Sequence, residues 1–271
     1  MKKTNKSSNI TRVKKKANQN GEKMTKRFIE DILKDFSFFI THEARTETGL
    51  LKFQKRRDEC RKILWETSAK HKAEILNYHI SADKLQILIK GNSDQVSDLV
   101  KQVAVRAASK HRRQTGKEAP FWRKRFNATL VQNGIHSLRC SISMDMTMVA
   151  EEKCFYPGEW DSSGYDEISG TRKRYRIISR NKAAEIFGFN DYLSMQKWYL
   201  LNCIPELETL DRHNLITALA IGDLKRIEKI AMHFPRRNVE IRKLIENSPE
   251  ATYGLFISNV AKHKFTRSLK Y

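Results

Sequence analysis

The chain of 271 residues (31.7 kDa) carries 52 Lys and Arg against 31 Asp and Glu, a formal charge of +21. Hydrophobic residues make up 39%, enough for a buried core, and the charge points to a polyanionic partner, nucleic acid before an anionic membrane. No apolar run approaches the roughly 18 residues of a membrane span, so no membrane association is expected.

Residues 1–27 hold ten Lys or Arg and one acid, Glu22, in a background of Asn, Ser, Thr and Gly. This composition predicts a disordered basic arm whose Lys14, Lys15 and Lys16 would contact phosphates. The arm has no apolar core of a secretory signal. The cysteines Cys60, Cys140, Cys154 and Cys203 form no CxxC pair, so free thiols in a reducing cytoplasm are expected. The protein is placed in the cytoplasm, on the nucleoid if bacterial.

Residues 34–41 (KDFSFFIT) predict a first strand, and 51–72 a solvated amphipathic helix. Two strands follow at 74–80 and 85–90, then a helix at 94–113 capped by Ser93 or Asp94. Its stripe is Val96, Leu99, Val100, Val103 and Ala107, with Arg106 and Lys110 off the stripe. A fourth strand is predicted at 127–132 and a Met-rich helix at 137–149. This order implies an α+β fold: a ferredoxin-like antiparallel sheet with its helices on one face.

Residues 110–126 (KHRRQTGKEAPFWRKRF) are the densest basic stretch within the folded part. Lys110, Arg112, Arg113, Lys117, Arg123, Lys124 and Arg125 face one acid, Glu118, and interleave with Phe121, Trp122 and Phe126. Cations of this kind grip phosphates, while the aromatics either anchor the loop to the core or stack on bases. Anchoring is the plainer reading for them.

Residues 156–180 read as a turn-rich, basic connector, with Glu159, Asp161, Asp166 and Glu167 solvated and Arg172 and Arg174 restoring positive charge. Residues 181–271 read as helical, with segments at 182–188, 191–203, 212–221 and 223–233 and another around Val239, Ile241, Leu244 and Ile245. They would form an appended lobe, either a helix-turn-helix or an accessory bundle. The domain division is therefore 1–27, 28–155, 156–180 and 181–271. His-x-His, HExxH, GxSxG, GxGxxG and phosphate-loop motifs are all absent. His79, beside Tyr78, reads as a packed histidine.

Three stretches resemble the IS200-like (Y1) transposases, of the REP-associated tyrosine transposase type, across about residues 30–260. The first is YHISADKLQILIK, Tyr78 to Lys90. The second is the helix 95–113 with GKEAPFWRKRFNATLVQ, in which Trp122, Arg125, Phe126, Leu130 and Val131 match. The third runs from Pro157 to Phe189, with Trp160, Ser163, Gly164, Tyr165, Ile168, Gly170, Arg174, Tyr175 and Arg176 matching.

The resemblance implies single-stranded or hairpin DNA as partner, with RNA as an alternative. In that family two histidines flanking a hydrophobic residue hold a divalent ion, and a helix-borne tyrosine attacks the phosphate. Here those positions correspond to Lys84, Leu85 and Gln86, and the tyrosine position to Ala107; no tyrosine occurs from 79 to 155. A lysine repels a cation, and a glutamine amide replaces imidazole poorly. The expectation is a DNA-binding protein without strand cleavage and without a cofactor, in which Lys84 can itself sit on a phosphate. Two alternatives stay open. One is an active, Mg2+-dependent transposase with displaced ligands drawn from His79, Asp83 and Gln86. The other is a non-catalytic subunit of an RNA or nucleoprotein complex. The oligomeric state is left open.

Overall fold

The computed structural model describes residues 30–45, 50–116, 120–123, 125–206, 212–234, 238–245 and 251–258. Lys14, Lys15, Lys16, Lys117 and Lys124 lie outside the described residues. Contacts divide the chain into residues 1–35 and residues 36–271. Of the first unit, residues 30–34 are helical, and Lys34 Nζ lies 2.7 Å from Asp31 Oδ1.

The second unit is a mixed α+β fold. Its elements are β1 (Phe36–Glu43), α1 (Gln54–Ser68), β2 (Glu74–Ile80), β3 (Lys84–Lys90), α2 (Ser93–Thr115), β4 (Asn127–Gln132), α3 (Ile135–Asp145) and α4 (Thr147–Ala150). There follow α5 (Tyr165–Ile168), α6 (Arg180–Phe187), α7 (Tyr192–Glu206), α8 (Arg212–Thr217), β5 (Ala220–Gly222), α9 (Leu224–Ala231), β6 (Val239–Ile245) and β7 (Thr252–Ile257). One seven-stranded sheet runs in the order β2-β3-β1-β4-β5-β7-β6. Every neighbouring pair is antiparallel except β4 with β5.

The central strands are apolar because both sheet faces are covered. Residues 75–80 of β2 and 85–89 of β3 are all buried. α2 is capped by Asn92, not by Ser93 or Asp94: the Asn92 side chain accepts from Gln95 N, and the Gln95 side chain accepts from Asn92 N. This reciprocal pair satisfies two N–H groups that a helix start leaves open. The helix stops at Gly116, whose φ of 66° suits a residue without Cβ.

Facing residues of an antiparallel ladder project to the same side of the sheet. His42 opposes Leu85, and Trp122 stacks on His42 with ring centroids 4.0 Å apart while its Nε1 donates to Ala104 O of α2 at 2.9 Å. α2 therefore covers the Leu85 face. α1 lies beside it, joined by Arg106 to Thr67 (2.7 Å) and Gln114 to Glu59 (2.9 Å). On the other side, Asn77 opposes Leu88 and its Nδ2 reaches Ser141 O and Oγ of α3 at 3.1 and 2.8 Å. The two helices expected on one face, α1 and α2, do share it, while α3 covers the other, so that helices flank both faces of the sheet.

The expectation of a mostly helical region after 181 is corrected in part, since strands join its helices. Val239–Ile245 is a strand, and β5, β6 and β7 extend the same sheet beyond β4. α8 ends at Thr217, and β5 takes residues assigned to its continuation. Among the described residues β6 is the last strand on this side, and its exposed Arg242 and Lys243 discourage pairing with another strand. The opposite edge, β2, is closed by the segment after α4: Ile80 N donates to Ser162 O, Gly164 N to Tyr78 O, and Ser179 N to Ile75 O, at 2.8–2.9 Å. Gly164 is needed there, since a Cβ would land on Asn77 Oδ1 and 2.7 Å from Ile178 Cδ1.

Candidate nucleic-acid interface

Lys84 and Gln86 open β3 and project away from α2, because Leu85 between them faces it. They line a cleft of about 130 Å³ with Ser81, Ser143, Thr147, Leu215 and one carboxylate, Glu151. Lys84 Nζ lies 3.7 Å from Asp83 Oδ2, and Gln86 is buried. The Lys84 ammonium has no lone pair to give and repels a divalent cation, and one amide oxygen falls well short of the several oxygen ligands such an ion takes. Among the described residues no group of three His, Cys, Asp or Glu side chains is placed to hold one.

Ala107 is buried on the other side of the sheet, in a hollow between α1 and α2 lined by Leu51, Cys60, Ile63, His111 and Phe121. The structure therefore does not bring Ala107 to Lys84 and Gln86. His79 is fully buried, its ring 6.4 Å from that of Trp160. Phe121 is buried, and Trp122 and Phe126 are partly buried against the core, so this aromatic group anchors the loop.

The cationic candidates divide into two groups. Arg106 is bound to Glu66 and Thr67, and Lys110 lies 3.8 Å from Glu59. Burial raises the Glu59 pKa, but Gln114, Lys110 and Arg56 outweigh it and hold the carboxyl below its usual value. Arg172 pairs with Asp166 at 3.1 Å and donates to Asp161 O at 2.8 Å, bracing its loop. Arg123 is exposed but lies 3.8 Å from Glu43 Oε2. By contrast, Arg112, Arg113, Arg125 and Arg174 are exposed and form no ion pair among the described residues.

Two acids are buried that composition does not mark. Glu167, expected in solvent, is fully buried and accepts from Tyr78 Oη, Ile177 N and Ile178 N at 2.7–2.9 Å. Asp145 accepts from Tyr199 Oη (2.6 Å) and Asn77 Nδ2 (3.1 Å). Burial pushes the Asp145 carboxyl up to about 7, against the pull of the Tyr199 and Asn77 hydrogen bonds.

That shift has a defined sign. The folded protein keeps a proton on Asp145 that the unfolded chain releases, so stability falls as pH rises from about 4 through about 7. His136 acts oppositely. Burial, then Arg139, push it down to about 4, so its contribution is lost as pH falls toward that value. Asp145→Asn is expected to gain on the wild type between acid and mildly alkaline pH, the His136 effect cancelling. Urea denaturation at both pH values measures the difference; parallel pH profiles would contradict this assignment.

No family model matches the chain, and no curated protein matches it significantly. Among solved structures it is similar to a REP-associated tyrosine transposase bound to a REP hairpin. The identity is 14% and the TM-score 0.40, over 53% of this chain and 84% of that one. This is a distant structural resemblance covering part of the chain.

Proposed function

We propose that the protein binds single-stranded or hairpin DNA through its basic surface and does not cut it. The observation that carries this reading is the set of exposed arginines Arg112, Arg113, Arg125 and Arg174, which form no ion pair among the described residues, on a chain of charge +21. Unpaired guanidiniums are free to replace the counterions of phosphates. The transposase-like motifs in the sequence supply the choice of DNA. The order β1-α1-β2-β3-α2-β4 is read as a ferredoxin-like unit that β5–β7 extend. Lys84, at the mouth of its cleft, is read as a further phosphate contact, and Lys14 to Lys16 as part of a basic arm that adds salt-dependent affinity.

The absence of cutting rests on residue chemistry. Lysine and glutamine stand where the resemblance puts metal-binding histidines, and alanine where it puts the nucleophile. The sheet separates Ala107 from the other two. Incubating the protein with labelled single-stranded and hairpin DNA in Mg2+ or Mn2+ is expected to leave substrate intact on a denaturing gel. A covalent adduct on any tyrosine would contradict the reading.

A further inference from the structure

We propose that Tyr175 is a stacking platform for an unpaired base of single-stranded DNA, a site that deepens, and rests on, the DNA-binding function proposed above. Tyr175 is 62% exposed, yet its backbone is left-handed, with φ 54°. A bulky side chain rarely adopts that conformation. Strain of this kind persists where the surroundings hold it in place, and it gathers at binding sites. Burial does not account for it here, because most of the ring faces solvent.

The holding contact comes from α1. Trp65 meets the Tyr175 ring edge to face, with centroids 5.0 Å apart at 81°. Arg57, two turns earlier on the same helix stripe, sits 4.3 Å over Trp160 and donates to Ser162 Oγ. Both ends of the 160–175 segment are thus fixed to one rigid helix. The Tyr175 ring is fixed by Trp65 while the residue stays 62% exposed.

The surroundings suit a nucleic acid. Lys173, Arg174 and Arg176 neighbour Tyr175 along the chain, all exposed and without an ion pair among the described residues. Nearby acids are occupied: Glu66 by Arg106 and Lys62, Asp166 by Arg172. An exposed aromatic ring in a run of exposed cations can take a base on the ring and its phosphates on the guanidiniums. A paired base offers no free face, so the platform distinguishes single strands from duplex.

The test uses the full chain with a fluorescent single-stranded oligonucleotide and the same sequence as a blunt duplex, by anisotropy. Tyr175→Ala is expected to lose about 5- to 150-fold in single-strand affinity with duplex affinity unchanged. Tyr175→Phe should bind as the wild type. Tyr175→Gly, which suits the left-handed backbone, should lose single-strand affinity while melting no lower than the wild type. Wild-type single-strand affinity in Tyr175→Ala, or equal losses on both probes, would overturn the platform alone. A wild-type protein that binds neither probe would instead contradict the DNA-binding function on which the platform depends.

Discussion

Replacing Arg112, Arg113, Arg125 and Arg174 together with alanine is expected to weaken binding to single-stranded, hairpin and duplex DNA alike. Each phosphate contact contributes roughly 0.7–0.9 to the slope of log K against log salt, so the variant should lose about 3 units of slope. Over a tenfold salt range that is about a thousandfold less change in affinity. Charges acting on the backbone are indifferent to the bases, so no sequence should escape. All four side chains are exposed, and stability should stay within about 2 kcal/mol of the wild type, about 0.5 kcal/mol for each substitution. A folded variant with an unchanged slope would remove these arginines from the interface.

Glu167→Ala is expected to be the most damaging single substitution for stability. The carboxylate is fully buried and receives three hydrogen bonds, from Tyr78 Oη and the backbone N–H groups of Ile177 and Ile178. Removing it leaves three buried donors without a partner, at a cost of about 3–5 kcal/mol. Burial, and then the Glu167 charge, keep the Tyr78 pKa well above its usual value, so the phenol stays a donor. Because domains of this kind are stable by only roughly 5–15 kcal/mol, a large share of the fold's margin depends on this one side chain. Urea denaturation measures it, and a loss below about 1 kcal/mol would contradict the role assigned to Glu167.

The first half of the fold is legible in the sequence because its signals are local. The apolar runs around Ile75 and Ile87 and the stripe from Val96 to Ala107 each follow one period. The second half is less so, for physical reasons. α3 is buried from His136 to Asp145, so it has no polar face to reveal its period. β5 is three residues long, too short to show alternation. β6 is an edge strand with Ile241 exposed, and its Val239, Ile241, Leu244 and Ile245 also fit a helical spacing.

The candidate site was legible in its charge and not in its pairing. Arg106 and Lys110 read as free cations, since Glu66 and Glu59, about forty to fifty residues earlier, become their partners only when α1 packs on α2. Glu167 reads as a loop carboxylate because its donors come from β2 and from the turn before α6. Tyr175 is marked in the sequence only as part of the transposase-like Arg-Tyr-Arg run, which does not show that it is exposed. Its left-handed backbone and its contact with Trp65 exist only in the folded chain.

The most direct measurement of DNA binding is a titration of the wild-type protein with single-stranded, hairpin and duplex DNA across a salt series, with RNA as competitor. The expected result is binding to all three DNAs with a steep negative salt slope, tighter for the single strand and hairpin than for the duplex. No binding at low salt, or an affinity indifferent to salt, would contradict a function based on exposed arginines.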